Sequence, residues 1–351
     1  MIAELQPSAP STPGAAELPP VSSSLYSAEL LARFAAGEHS DFLAAGGRPL
    51  RPRLARALAL ARLRPGLAVV DIGCGRGEAA AYAARRGARV TALDYSLGGL
   101  GLARQSAEAV RPAWRGEDQA VGSACQVERQ TVGQASQVER QAVGSASQDA
   151  NPALALPNRG VPVRLAAADA TALPLANESA DRVLLLDVVE HLRPWQMGAL
   201  LAEVRRILKP DGYVIIHTLP NHWALNFAYP LLRLAVPSLP RSARSDYERA
   251  VHVNEQDPRS LARALRESGM AAHVWVEEWS TVHAARGRRR GYPDAARALG
   301  YPVLRRAWVE RAARWAMRTP LKWVVANDLF AVAWPPGGAE AGPSVGAPRG
   351  L

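Results

Sequence analysis

The densest concentration of chemistry in this chain is one turn, Val69-Val70-Asp71-Ile72-Gly73-Cys74-Gly75-Arg76-Gly77. An apolar run enters it and a helical pattern leaves it at once. Glycines there allow positive φ and let a backbone approach a ligand closely. The free N–H groups of the helix start favour polar or anionic ligand groups. Acids then recur at the ends of later apolar runs: Asp94 after Val90-Thr-Ala-Leu93, Asp169 within Ala168-Asp169-Ala170, and Asp187 after Leu184-Leu-Leu186. A carboxylate accepts two hydrogen bonds and so suits a diol. Asp187 leads into Val-Val-Glu190-His191, which adds a histidine, the usual proton acceptor at neutral pH.

These residues need elements that bring them to one edge. Short apolar runs at Ala68–Ile72, Arg89–Leu93, Val163–Ala167, Arg182–Asp187 and Tyr213–Thr218 read as strands. Helical patterns at Glu78–Arg86, Ser96–Val110 and Trp195–Leu208 alternate with them, the last stopped by Lys209-Pro-Asp-Gly212. Such alternation predicts an α/β fold: a mostly parallel sheet with helices on both faces. Ligands of such sheets sit beyond the carboxyl ends of the strands, where these acids lie.

The dinucleotide fingerprint needs glycines at relative positions 1, 3 and 6; counted from Gly73, position 6 is Glu78, and that reading fails. The spacing Asp-x-Gly-x-Gly-x-Gly resembles the first motif of class I S-adenosylmethionine-dependent methyltransferases. Asp94, 17 residues past Gly77, matches the acid that binds the cofactor's ribose hydroxyls in that family. Tyr95 and Ser96 would flank the adenosine. Asp169-Ala170 followed by Leu173-Pro174-Leu175 is similar to the adenine-contacting segment. Asp187-Val-Val-Glu-His-Leu192 and Leu208-Lys-Pro-Asp-Gly-Tyr213 resemble the group that includes the ubiquinone and menaquinone methyltransferases. The resemblance covers about Leu67 to Leu219 and implies S-adenosyl-L-methionine as cofactor. It also implies a Rossmann-like seven-stranded sheet whose last strand is antiparallel. Cofactor-binding positions carried over are Asp71, Gly73, Cys74, Gly75, Gly77, Asp94, Tyr95, Ser96, Asp169, Ala170 and Asp187.

Each position also has a plain reading. Asp71 could only fix the glycine loop, Cys74 could be a small loop residue, Asp169 could cap a turn, and His191 could be a satisfied buried histidine. Methyl transfer from a sulfonium is an in-line displacement in which alignment does much of the work. A base is needed only if the acceptor loses a proton. The candidates are His191, His217 and His222, with His252 beside Val251 a fourth. No Asn/Asp-Pro-Pro-aromatic motif follows the fourth strand, and neither Cys74 nor Cys125 sits in a Pro-Cys context. Amino-methylation of DNA and cytosine C5 attack are thereby disfavoured, which leaves a small-molecule or lipid/glycan-like acceptor. Two cysteines also exclude a disulfide scaffold and a four-cysteine zinc site, and no metal site is expected.

The formal net charge is +10 over 351 residues, and 40 of the 42 basic residues are arginine. Between Arg233 and Lys322, 18 basic residues face nine acidic ones, so the charge belongs to the C-terminal third. There Arg286, Arg288, Arg289 and Arg290 precede a helical pattern with Leu304, Trp308, Ala312 and Trp315 on one face. Three readings stay open: a helix packed on the domain, one lying on an anionic membrane, or an RNA-binding face. Nucleic acid is the weaker partner, because stacking aromatics are missing beside the arginines. A noncatalytic cofactor-binding module and an RNA methyltransferase remain the functional alternatives.

The expected organisation is a disordered tail over 1–24, a helical extension over 25–64 read as two helices, and a methyltransferase domain over 65–334. Within the domain lie a disordered insertion over 111–160, a lid-like insertion over 220–250 and a basic helical insertion over 282–321. In the first, Gln126-Val-Glu-Arg-Gln130 recurs as Gln137-Val-Glu-Arg-Gln141. Residues 335–351 read as a second disordered tail. Pro258–Ser268 reads as a helix, His273–Trp279 as a strand, and Trp323–Trp334 as the final strand. With no apolar run of membrane-spanning length and no signal-peptide pattern, the protein is expected in the cytoplasm, with peripheral contact at the inner face of the membrane as an option.

Overall fold

The computed structural model describes residues 18–34, 38–48, 50–110, 154–155, 163–235, 237, 239–277, 311–312 and 315–337. Within it the strands are β1 (Ala68–Ile72), β2 (Arg89–Asp94), β3 (Leu154–Ala155), β4 (Val163–Ala167), β5 (Ala180–Leu186), β6 (Leu208–Thr218), β7 (Ala271–Glu277) and β8 (Asp328–Trp334). They form one sheet in the order β3-β4-β2-β1-β5-β6-β8-β7. The pairs from β4 through β6 are parallel. β8 runs antiparallel between β6 and β7. This is the expected seven-stranded Rossmann-like sheet with its antiparallel last strand, plus a two-residue antiparallel strand, β3, on the β4 edge. β3 falls inside the range expected to be disordered.

Both faces are covered, which is why the strands are continuously apolar. Val69, Leu184 and Ile215 point to the layer of α3 (Pro52–Leu60), α4 (Glu78–Arg85) and α5 (Leu97–Val110). Their sequence neighbours Val70, Leu185 and Ile216 point to α6 (Pro194–Ile207) and α9 (Pro258–Glu267). α4 presents Ala79, Ala80, Ala83 and Ala84 to the core, so it packs close to β1. Gly77 begins it at φ 71°, and a Cβ there would lie 2.7 Å from Ala103 Cα. The turn, the close helix packing and the glycine are therefore one feature.

Several expectations need correction. Residues 18–24, read as part of a disordered tail, pack on the domain. Val21 is buried and Ser23–Tyr26 is a 3-10 turn capped by Ser22. Before α3 the extension forms two helices rather than one, α1 (Ala28–Phe34) and α2 (Glu38–Ala44). The Lys209–Gly212 turn does not separate α6 from β6; it bulges out of the strand, since Leu208 already pairs with Ala180 before Tyr213 pairs with Arg182. Trp323–Trp334 is not one strand. Its first part is the short helix α10 (Lys322–Val325), because β6 offers partners only up to Thr218, opposite Leu329. The carbonyls of Trp323 and Ala326 accept instead from Asn221 Nδ2, at 3.0 and 2.8 Å. Residues 1–17, both copies of the repeat, 282–310 and the tail beyond 337 lie outside the described residues.

Candidate functional site

At the carboxyl ends of β1, β2, β4 and β5 lies a cavity of about 620 Å³, a size suited to a small-molecule site. Its floor is the glycine turn: Gly73, Gly75 and Gly77 all have positive φ, at 67°, 50° and 71°. Asp94 holds this turn in place. Its Oδ2 accepts from the Gly75 N–H at 2.7 Å and its Oδ1 from the Ser96 N–H at 2.8 Å. Asp71 is buried and its Oδ2 has no hydrogen-bond partner. Burial, reinforced by the charge of Asp94, raises its carboxyl to about 7. A buried carboxyl oxygen left unpaired beside an open cavity is an unusual expense unless a ligand completes it.

Asp71, Gly73, Cys74, Gly75, Gly77, Asp94, Tyr95, Asp169, Ala170 and Asp187 all line the cavity. Cys74 does so as an inert group, its thiol pushed well up by burial. Asp169 also closes a local turn, accepting from the N–H and hydroxyl of Thr171. Ser96 is the exception among the cofactor candidates. It is buried beneath the cavity, where Oγ accepts from the Gly99 N–H at the start of α5 and donates to the Tyr26 carbonyl. It holds the wall instead of forming it.

The three histidine candidates separate. His191, in the turn after β5, lines the cavity. Its Nδ1 lies 3.1 Å from the Tyr26 hydroxyl and 3.2 Å from the Val251 carbonyl. A carbonyl only accepts, so this contact selects the Nδ1–H tautomer and leaves Nε2 as the unprotonated nitrogen, 3.9 Å from Glu190 Oε1. Burial, with the neighbouring His252 ring 4.8 Å away, lowers His191 to about 4. His217 lies outside the cavity and is completely buried. Nδ1 meets Asp187 Oδ1 and Nε2 meets Asp328 Oδ1 at 3.0 Å. Burial opposes its charge, but the two carboxylates prevail and raise it to about 9. With both nitrogens occupied as donors it cannot serve as a base. His222 is half exposed beside Glu255, in an open groove near α6 and α9. It too leaves the list of bases.

Asp187 has a role its position did not announce. It sits at φ 60°, strained for a residue with a side chain. One oxygen is taken by His217 and the other by Arg53 of α3, at 2.8 Å. Those cations hold its carboxyl well below the usual range despite burial. Glu190 next to it is driven the other way, to about 8, by burial and by the Asp187 charge, while Thr218 Oγ1 donates to it. Glu190, His191 and His252 bring one ligand atom each within 4.8 Å of one another, a grouping the sequence reading did not contain.

The cover of the cavity is also new. Pro20, Val21, Tyr26 and Leu31 line it from the N-terminal segment, and Tyr247 from α8 (Asp246–Val251). Of the lid-like insertion expected over 220–250, Tyr247 alone among the described residues lines the cavity, and the described residues of 223–239 do not. Side chains of the domain hold the N-terminal segment by its own carbonyls. Tyr95 donates to Val21 O at 2.7 Å, Ser96 to Tyr26 O at 2.7 Å, Tyr247 to Leu25 O at 2.9 Å and Arg76 to Leu31 O at 3.4 Å. Arg193 and Trp195 reach Pro19 O and Leu18 O in the same way.

A parallel sheet whose first strand enters a glycine turn, with an acid clasping that turn from the second strand and an antiparallel strand inserted between β6 and β7, is the architecture of class I S-adenosyl-L-methionine-dependent methyltransferases. The chain belongs to the methyltransferase-domain family, which it matches over residues 43–273. No curated protein matches it. Among solved structures it is similar to a methyltransferase from Methanosarcina mazei described as SAM-dependent, at 15% identity and TM-score 0.41, covering 82% of this chain and 99% of that one. It is similar to geranyl diphosphate C-methyltransferase from Streptomyces coelicolor, at 15% identity and TM-score 0.41, covering 80% and 74%. A third is the Haloferax volcanii complex of the Trm112 activator with a methyltransferase, at 14% identity and TM-score 0.44, covering 88% and 97%. Nothing about the acceptor follows from these.

Proposed function

We propose that this methyltransferase moves the methyl group of S-adenosyl-L-methionine to a small-molecule or amphiphilic acceptor. The observation that carries the reading is the unpaired Oδ2 of Asp71, a residue that lines the cavity with the glycine turn. It fits the cofactor's ammonium group. The Asp94 carboxylate keeps acceptor capacity beyond its two backbone bonds and suits the ribose diol. Asp169-Ala170 and Tyr95 would border the adenosine. The bound cofactor supplies an electrophilic methyl on a sulfonium, and the chain's task is alignment and exclusion of water. The N-terminal cover serves the second purpose.

His191 is the base this site offers. At about 4 it is neutral throughout the physiological range. A hydroxyl or amine becomes strongly acidic as it takes a methyl group, so a weak neutral base at Nε2 suffices. The lining by Val21, Leu31, Leu54, Leu173 and Leu192 favours an acceptor with apolar surface.

The test is to incubate the protein with methyl-labelled cofactor and with lipid, glycan, metabolite and RNA fractions. Label is expected in a lipid or small-molecule fraction. His191→Asn should abolish labelling while leaving calorimetric affinity for S-adenosylhomocysteine unchanged. Label in RNA would overturn the acceptor class, and cofactor binding with no labelled product would mark a noncatalytic module.

A further inference from the structure

The segment after β6 leaves the sheet at the edge where the cavity lies, and then does something a water-soluble surface does not require. It forms a π turn (Ala224–Ala228) continued by α7 (Tyr229–Ala235). Phe227 is 57% exposed, Leu231 66% and Leu234 80%. The steps of four and three residues place them on one stripe of the helical segment. A neighbouring stretch repeats the pattern, with Trp315 61% and Leu321 47% exposed. That stretch leads into α10, which packs on the π turn and is tied to it through Asn221. Large apolar side chains gathered in this way mark an interaction surface.

The charge around them specifies the partner. Residues 223–245 and 311–327 together contain seven arginines and lysines and no aspartate or glutamate. Arg241 and Arg311 are exposed. Asp246 and Glu310 adjoin these two stretches and Arg244 is paired with Glu255, so the border is predominantly cationic. An apolar helical stripe so flanked fits the headgroup boundary of an anionic bilayer, with rings and leucines in the acyl region and guanidinium groups at the phosphates. Among the described residues no helix is long and apolar enough to cross a membrane, so the contact is in-plane. We propose that the π turn, α7 and the Trp315–Leu321 stretch form a docking face for an anionic phospholipid bilayer. Farther along the same insertion, α8 carries Tyr247 into the cavity wall. Docking would therefore couple the surface to the cavity through one short segment and suit an amphiphilic acceptor. The surface itself stands apart from the acceptor reading, and its test uses neither cofactor nor acceptor.

The experiment is co-sedimentation of the full chain with phosphatidylcholine vesicles, with and without about a third phosphatidylglycerol. Binding to the anionic vesicles alone is expected, weakening several-fold as salt rises. The exposed triple variant Phe227→Ser/Leu231→Ser/Leu234→Ser should bind at least about tenfold more weakly. Its circular dichroism and its affinity for S-adenosylhomocysteine should be unchanged, so loss of fold is separated from loss of docking. Arg241→Glu/Arg311→Glu should lower the salt-dependent part. No pelleting of the wild type, equal pelleting of wild type and triple variant, or a solution dimer that the triple variant dissolves would overturn the proposal.

Discussion

Arg53 and Asp187 join the N-terminal extension to the turn that carries His191: the guanidinium donates twice to one carboxylate oxygen, from Nη2 at 2.8 Å and Nε at 3.2 Å. The other oxygen belongs to His217, which Asp328 holds from the last strand. Two cations and two anions thus alternate from β8 to α3. A strained backbone at Asp187 persists because its side chain is fixed from both sides. Arg53→Ala should lower stability by about 1–3 kcal/mol, the worth of hydrogen bonds to a charged group. Arg53→Lys should recover only part, since an ammonium cannot reproduce the fork. Urea unfolding of both variants measures this.

Stability should fall as pH rises above about 6.5, below which the neutral His191 opposes the trend. His217 is at about 9 in the folded protein and near 6.5 unfolded, so its contribution is complete below pH about 6.5 and lost by about 9. Glu190, at about 8, and Asp71, at about 7, push the same way at lower pH, because folding keeps acids protonated that the unfolded chain ionises. Between pH about 8 and 9 His217 contributes to this slope together with the buried Cys74 thiol and the end of the Glu190 titration, so the slope should become shallower, without vanishing, in His217→Gln. Denaturant midpoints across this range decide it.

Cofactor affinity should rise with pH. Asp71 must be ionised to pair with an ammonium group, and burial holds it at about 7. Binding of S-adenosylhomocysteine by calorimetry should strengthen up to that pH and level off above it. Asp71→Asn should weaken binding and flatten the dependence. Asp94→Ala should weaken it at least about tenfold and release the Gly75 N–H.

Alanine substitutions in glycines should give unequal answers. Gly75→Ala meets no atom within 4 Å and costs only its positive φ, about 1–2 kcal/mol. Gly77→Ala adds a clash with the Ala103 backbone and should cost clearly more. Gly98 lies in α5, where alanine ordinarily stabilises by about 1 kcal/mol. Here its Cβ would fall 2.6 Å from Ala28 N. Gly98→Ala should therefore spare the sheet but loosen α1, read as faster proteolysis ahead of α3.

The sheet and the glycine turn were legible because both restrict residue type: continuous apolar strands need two covered faces, and the turn needs positive φ at Gly73, Gly75 and Gly77. Asp94 was legible by its place at a strand end. The histidines were not separable, because sequence shows their type and not what they face. One signal was available: His217 closes the apolar run Tyr213-Val-Ile-Ile216, and a polar side chain there is buried and must be paired. Nothing marked Tyr26 or Arg53, whose partners lie more than 130 residues away. The disorder expected for residues 18–24 came from composition alone, and composition says nothing about who binds a carbonyl.

The grip on main-chain oxygens shapes how this cover can evolve. Six side chains of the domain grip residues 18–31 by main-chain oxygens, which every amino acid supplies. The selective constraint thus falls on the gripping residues, such as Tyr95, Ser96, Arg193 and Tyr247. Apart from Val21, which is buried, and Tyr26, whose hydroxyl meets His191, the gripped segment can drift in sequence while its seat is preserved. Related chains can share this closure with little recognisable likeness ahead of α1, and each can vary the side chains it presents to its own acceptor.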